Sequence, residues 1–254
     1  MKKKIYLITI WTITLFVIIF SGYHYTKRFK NEYKDFKSEI KSVFSDFDDY
    51  DDEEYDWDED SSSNSSKGLK NIDTALDAFS KIKIEGNIME LTIKEGSDYH
   101  LECAYNKEKL KPVFEVSNGL LTIRQNLRGN LHGNSRCRLT LTIPAETQLS
   151  SADIEVNVGE MNLKNFTCDT LEAKTNVGSL TIKDINFNKL EAETNVGELI
   201  IQTMDDISEY NLDLKTDVGE LKVGDRHFKH SYETSGSSNK EIKATTNVGA
   251  LTVD

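Results

Sequence analysis

The residue types that could do chemistry are present in this chain but scattered. His227 and His230 flank Phe228–Lys229. A histidine pair at i, i+3 can ligate a metal or move a proton when a third group converges on it. No Cys/His or CxxC spacing completes a zinc set around them. Cys103 sits in HLECAY and Cys137 in RCRLTLTI, each at the parity of apolar neighbours, so both read as small inward-facing strand residues. Cys168 lies in the turn-like NFTCDT. An odd count argues against a full disulfide framework. Core or free thiols are the plain expectation, and a Cys103–Cys137 bridge is the alternative. No Ser-His-Asp set is anchored by a nucleophile elbow, and GDRH matches no phosphate loop. The expectation is therefore a non-enzyme with no catalytic, cofactor-binding or metal residues and no cofactor, its binding residues unspecified.

Charge narrows the partners. The 254 residues carry a formal net charge of −12. Asp46–Asp60 supplies eleven acidic residues and no basic one, so nearly all the excess belongs to that segment. No basic stripe exists to neutralise phosphates, which excludes a nucleic-acid partner. The run DFDDYDDEEYDWDED followed by SSSNSSKG reads as an extended, disordered linker over 46–69. Its interleaved Phe47, Tyr50, Tyr55 and Trp57 would also suit cationic peptides or polyamines. It lacks the spacing of a calcium loop.

Upstream, residues 1–4 form a short tail, and Ile5–Tyr25 holds 21 residues without Lys, Arg, Asp or Glu. As a helix this stretch would span roughly 30 Å, about one bilayer core. Its exit, IIFSGYHY, has no A-x-A site, so an uncleaved transmembrane anchor is expected over a cleaved signal peptide. Lys2, Lys3 and Lys4 precede it and Lys27, Arg28, Lys30, Lys34 and Lys37 follow it, and charge counting does not orient the span. Phe29, Tyr33, Phe36, Ile40 and Val43 then make a short heptad stripe within a juxtamembrane helix over 26–45. That helix either lies on lipid or acts as a weak dimerising stalk.

The rest of the chain repeats itself. EVNVGEMNL, KTNVGSLTI, ETNVGELII, KTDVGELKV and TTNVGALTV align on Gly159, Gly178, Gly197, Gly219 and Gly249, with gaps of 19, 19, 22 and 30. IEGNIMELTI joins them with Asn87 under the Asn and Ile88 under the Val. A period near 20 in alternating strand formers marks a solenoid. The fold expected over 70–254 is all-β, a parallel β-solenoid (β-helix) with coils of about 19–22 residues. Each coil would turn at Asn-Val-Gly with the valine tucked into the core.

Several columns follow from that stacking. Glu155, Lys174, Glu193 and Lys215 alternate in sign and would pair across coils. Asp153, Glu172, Glu191 and Asp213 form an acidic solvated face, or a weak cation site in the sharper reading. The asparagines would form an amide ladder that Asp217 interrupts. Residues 97–143 would cap one end with hairpin-like strands turning at Asn118–Gly119. The last coil, ending at Asp254, would be a naked edge, with Gly224–Glu241 as a pattern-free excursion able to fold over it or to bind.

LTIPAETQLSSADIEVNVGEMNL (141–163) and the NVG words after it resemble a bacterial β-strand-repeat family of unknown function described as adhesins. That family includes LiaG-like membrane-anchored envelope proteins. The resemblance covers roughly 70–254 and implies a solenoid on an envelope protein, with no catalytic residues to carry over. Met89 in place of Gly and the 30-residue last gap depart from the pattern. The combined expectation is a single-pass cell-membrane protein with its C-terminal domain extracellular. It would act as an interaction or scaffold module toward envelope or membrane proteins, including in envelope stress. An adhesin-like surface protein that binds a polymer or assembles end to end is the alternative, and a carbohydrate-active enzyme a more distant one. Weak homo-oligomers would form through the juxtamembrane helix or the terminal coil.

Overall fold

Alternating apolar residues, abundant Val, Ile and Thr, and only two prolines favour strands over helices. The computed structural model describes residues 69–127 and 134–254, and these form an all-β domain. The expected anchor (5–25), the juxtamembrane helix and the acidic linker up to residue 68 lie outside the described residues. Within the described residues, no helix is long and apolar enough to cross a membrane.

The centre is a parallel, solenoid-like stack of five long strands. In space they run β8 (Gln148–Lys164), β9 (Thr167–Lys183), β10 (Lys189–Gln202), β14 (Glu241–Val253) and β11 (Asn211–Val223). Each bends at its NVG glycine, and the register sets like on like. Leu171 meets Leu190, Ala173 meets Ala192, and Gly178 meets Gly197. The inward columns are closed to solvent, for example Leu180, Leu199, Leu251 and Leu221.

Before β8, β2 (Lys81–Ile88) and β3 (Glu90–Gly96) make the first coil, as the IEGNIMELTI word predicts. Beyond it the two faces part. On one, β6 (Leu120–Gln125) pairs with β2, and β5 (Pro112–Ser117) pairs antiparallel with β6. Asn118 and Gly119 join β5 to β6 with φ of 51° and 73°, the positive values that a tight hairpin turn needs. On the other face, β7 (Cys137–Pro144) follows β3, then β4 (His100–Tyr105) and the edge strand β1 (Lys70–Ala75).

Three expectations need correction. First, the C-terminal strand is not a naked end. β14 inserts between β10 and β11, so β11 is the last coil of the stack. Second, 224–241 is not pattern-free. After Gly224 the chain forms β12 (Arg226–Phe228) and β13 (Ser231–Thr234), both antiparallel to β11 and covering parts of its outer edge. The crossover to β14 then lies over residues 207–209. Ser238 N donates to Glu209 O, and the Asn211 side chain binds Gly236 N, Ser238 O and Lys240 O, each at 3.0–3.1 Å. Third, the corner valines do not point inward. Thr175 is 2% exposed, whereas Val177 is only half-buried and faces out. The inward set steps from Thr175 to Leu180, an odd interval, and Gly178 absorbs the parity change at φ 141°.

Gly178 also permits a close approach. A Cβ built on it would lie 1.7 Å from the Gly159 carbonyl oxygen. Gly178→Ala is therefore expected to cost more than about 4 kcal/mol or abolish folding. Val177→Lys, on the outward side, should lower stability by no more than about 1 kcal/mol. Chemical denaturation of the two variants checks this order. The Thr175, Thr194, Thr216 and Thr246 hydroxyls are buried without a hydrogen-bond partner, while Val156 fills the same column on β8. Thr194→Val should consequently raise stability by about 1 kcal/mol in the same measurement, because it removes a desolvated hydroxyl at constant shape.

Candidate functional site: the corner ridge and the end cap

Turning the valines outward builds a continuous feature. Ile88, Val158, Val177, Val196, Val248 and Val218 stand in register along the corner. Most are half-buried by their neighbours. Toward the β11 end exposure rises, to 45% at Val248 and 57% at Val218. The asparagines run alongside. Asn176 Nδ2 donates to Asn157 Oδ1 at 2.6 Å, Asn195 to Asn176 at 2.6 Å and Asn247 to Asn195 at 2.7 Å. Asn157 reaches Asn87 at 3.3 Å. Because β14 is inserted, Asp217 stands at the end of this ladder and does not interrupt it. An apolar ridge beside a row of oriented amides can grip an elongated partner. It supplies no nucleophile and no acid–base pair.

The charged columns differ from expectation for the same reason. Thr245 separates Glu193 from Lys215, and Glu85 stands opposite Glu155, so the alternation of sign holds only through Glu155, Lys174 and Glu193. Lys174 and Lys215 bind within their own strands, to Glu172 and to Asp213. Glu172 in contact, with Glu191 and Glu193 close by, raises the Lys174 ammonium above its ordinary value. The acidic column holds two lysines that the sequence register missed. Lys83 binds Asp153 at 3.2 Å, and Lys243, placed between Glu191 and Asp213, binds Glu191 at 3.4 Å. With Lys174 and Lys215 from the neighbouring column, each of the four acids has a cation, which removes the reason to read it as a cation site.

At the β11 end, Phe228 and Tyr232 pack at 4.3 Å with the Arg226 guanidinium over Phe228 at 5.1 Å. His227 Nδ1 lies 2.7 Å from Glu220, while His230 uses its carbonyl to accept from Thr216 N at 2.7 Å. The two histidines thus serve the edge of β11 separately. Beneath the crossover, Lys240 binds Asp205, and the Tyr210 hydroxyl donates to Asp205 at 3.2 Å. Burial pushes the Tyr210 hydroxyl up to about 12.

The cysteines are buried free thiols, as expected for core residues. Cys103 and Cys137 lie Sγ to Sγ at 3.7 Å across β4 and β7. Cys168 opens β9 with its thiol donating to Thr170 O, and burial lifts it to about 12. One grouping escaped the sequence altogether: Asp73, His100 and Glu102 meet on β1 and β4, strands 25 or more residues apart that only the antiparallel register brings together. The outward valines, in contrast, could have been found by counting the odd step from Thr175 to Leu180.

A family model described as Toastrack DUF4097 matches residues 79–254. Among solved structures, a candidate cell adhesion protein of Clostridium sporogenes is similar at 19% identity and TM-score 0.58, over 73% of this chain and 98% of that one. A candidate adhesin of Bacteroides fragilis is similar at 12% identity and TM-score 0.37, over 74% and 98%. At 19% identity the likeness to the Clostridium sporogenes structure speaks to fold alone. No curated protein matches the chain.

The ladder's polarity yields a test. Each amide donates toward the preceding coil, and the carboxylate of Asp217 cannot donate to Asn247. Asp217→Asn should add one amide link and raise stability by about 0.5–1 kcal/mol at neutral pH. Urea melts of the variant and wild type give the comparison.

Proposed function

The chain belongs to the Toastrack DUF4097 family, and from that premise we propose that it is a membrane-anchored, non-catalytic interaction module of the cell envelope, acting toward envelope or membrane proteins, including under envelope stress. The observation that carries this reading is the polarity of the domain. The chain leading from the N-terminal segment enters at β1, one end of the strand order, and the exposed end of the valine ridge lies at β11, eight strand steps away. At ~4.8 Å per step this is a path of roughly 40 Å along the sheet. A tether at one end and an apolar, amide-lined corner at the other suit a displayed module. The uncharged stretch Ile5–Tyr25 supplies the tether in this reading, and the segment Asp46–Asp60, with its eleven acids, lies between it and the domain in the chain. Charge pairs occupy much of the remaining outer face, so the ridge is the surface on which a partner gains most from losing water.

Protease treatment of intact cells tests display. A glutamate-specific protease added outside should cut in the 46–60 run and release a folded fragment beginning near residue 60. Full protection of the domain in intact cells, with cleavage after lysis, would overturn the exterior placement.

A further inference from the structure

On this surface, facing carboxylates are as a rule offset by a nearby cation. Lys83 serves Asp153, Lys243 serves Glu191, Lys215 serves Asp213, and Arg138 serves Glu90. The β1–β4 edge departs from that rule. Asp73 and Glu102 are directly opposed Cα partners on antiparallel strands. Like charges so placed repel. Neither carboxylate is paired with a lysine or arginine among the described residues. The cationic-capable group in contact with this pair is His100, whose Nε2 lies 2.8 Å from Asp73. Across β7, Thr140 and Thr142 bring no charge, and Arg138, opposite Ala104, is bound to Glu90. One imidazole nitrogen and two carboxylate oxygens therefore converge, all within 4.8 Å of one another.

We propose that Asp73, His100 and Glu102 form a divalent-metal site of zinc-type chemistry that staples the edge strand β1 to β4. Ligand atoms around one zinc ion stand about 3–3.5 Å apart, given bonds near 2.0–2.2 Å and tetrahedral angles. Rotation of the two exposed carboxylates closes the remaining difference. An imidazole donor selects a borderline cation over calcium or magnesium, which prefer oxygen alone. With three protein ligands the fourth position is left for water. The metal removes the Asp73–Glu102 repulsion and ties the first strand of the domain to its neighbour. Among the described residues β1 pairs only with β4, so the ion adds to the one strand pairing that holds it and slows its local opening. This site is independent of the ridge and of where the domain is displayed.

The test uses the full-length protein, stripped with a chelator and dialysed against micromolar zinc chloride. One zinc per chain is expected. His100→Ala and Glu102→Gln should each weaken binding at least tenfold, and His227→Ala should leave it unchanged. Calcium at the same concentration should not compete. Amide exchange over 70–75 should slow on adding zinc to the wild type and not to His100→Ala. Melting of the metal-free variants at the wild-type temperature shows that the strand pairing survives. Absence of zinc binding, binding that persists in both variants, or unchanged exchange at β1 in the zinc-loaded wild type would each overturn the proposal.

Discussion

The corner glycines approach one another so closely that no other residue fits between them. A Cβ on Gly178, Gly197 or Gly249 would lie 1.7 Å from the carbonyl oxygen of the preceding coil's glycine. At φ near 141° the backbone turns without a side chain and lets that oxygen in. Register is set at this point. Once the glycines lie on one line, the asparagines two positions before them must stack, and so must the valines between. The ladder distances record the constraint. Steps between glycine corners are 2.6–2.7 Å, while the step to the first coil, where Met89 stands in the glycine column, lengthens to 3.3 Å. Amide links and apolar columns contribute stability, but the glycines decide which links can exist.

The insertion of β14 follows the same logic of matching coils. β14 carries the full TNVG word, with Asn247 able both to donate to Asn195 and to sit between glycine corners. β11 carries Asp217, which cannot donate to Asn247, and it stands at the end of the ladder. Charge agrees with this order. Lys243 falls between Glu191 and Asp213, where without the insertion two acids would be adjacent. The Asn211 side chain and the Lys240–Asp205 pair fix the crossover that makes the exchange geometrically consistent. The unequal repeat gaps thus reflect a change in spatial order. The 30-residue interval between Gly219 and Gly249 holds the two cap strands and the return path.

Much of the architecture was legible in the words themselves. Period-2 alternation gave the strands, and the repeated Asn-Val-Gly gave parallel stacking, the first coil and the amide ladder. Asn118–Gly119 announced its hairpin because two positive-φ residues in sequence have few other uses. Two things were not legible, and a third was legible but misread. A repeat unit does not state its position in the stack, so the order β10–β14–β11 was hidden, and with it the pairing of Lys243. Parity predicts inward faces only where the backbone is regular, so Val177 was misplaced by one glycine that resets the count. Asp73, His100 and Glu102 belong to strands whose pairing no local pattern encodes.

The end of the stack shows how a repeating fold limits its own growth. A terminal coil offers unpaired backbone groups to any matching strand. Here β12 and β13 occupy the edge of β11 at residues 221–223 and 212–215, and the His230 carbonyl takes the Thr216 amide between them. What stays open is the corner itself, where Val218 and Gly219 lie between the exposed carboxylates of Asp217 and Glu220. A second copy meeting this corner end to end would oppose the same two charges, and its ladder would find no donor in Asp217. The arrangement therefore weighs against growth into a fibre. It still leaves an apolar tip at Val218 flanked by the acids Asp217 and Glu220.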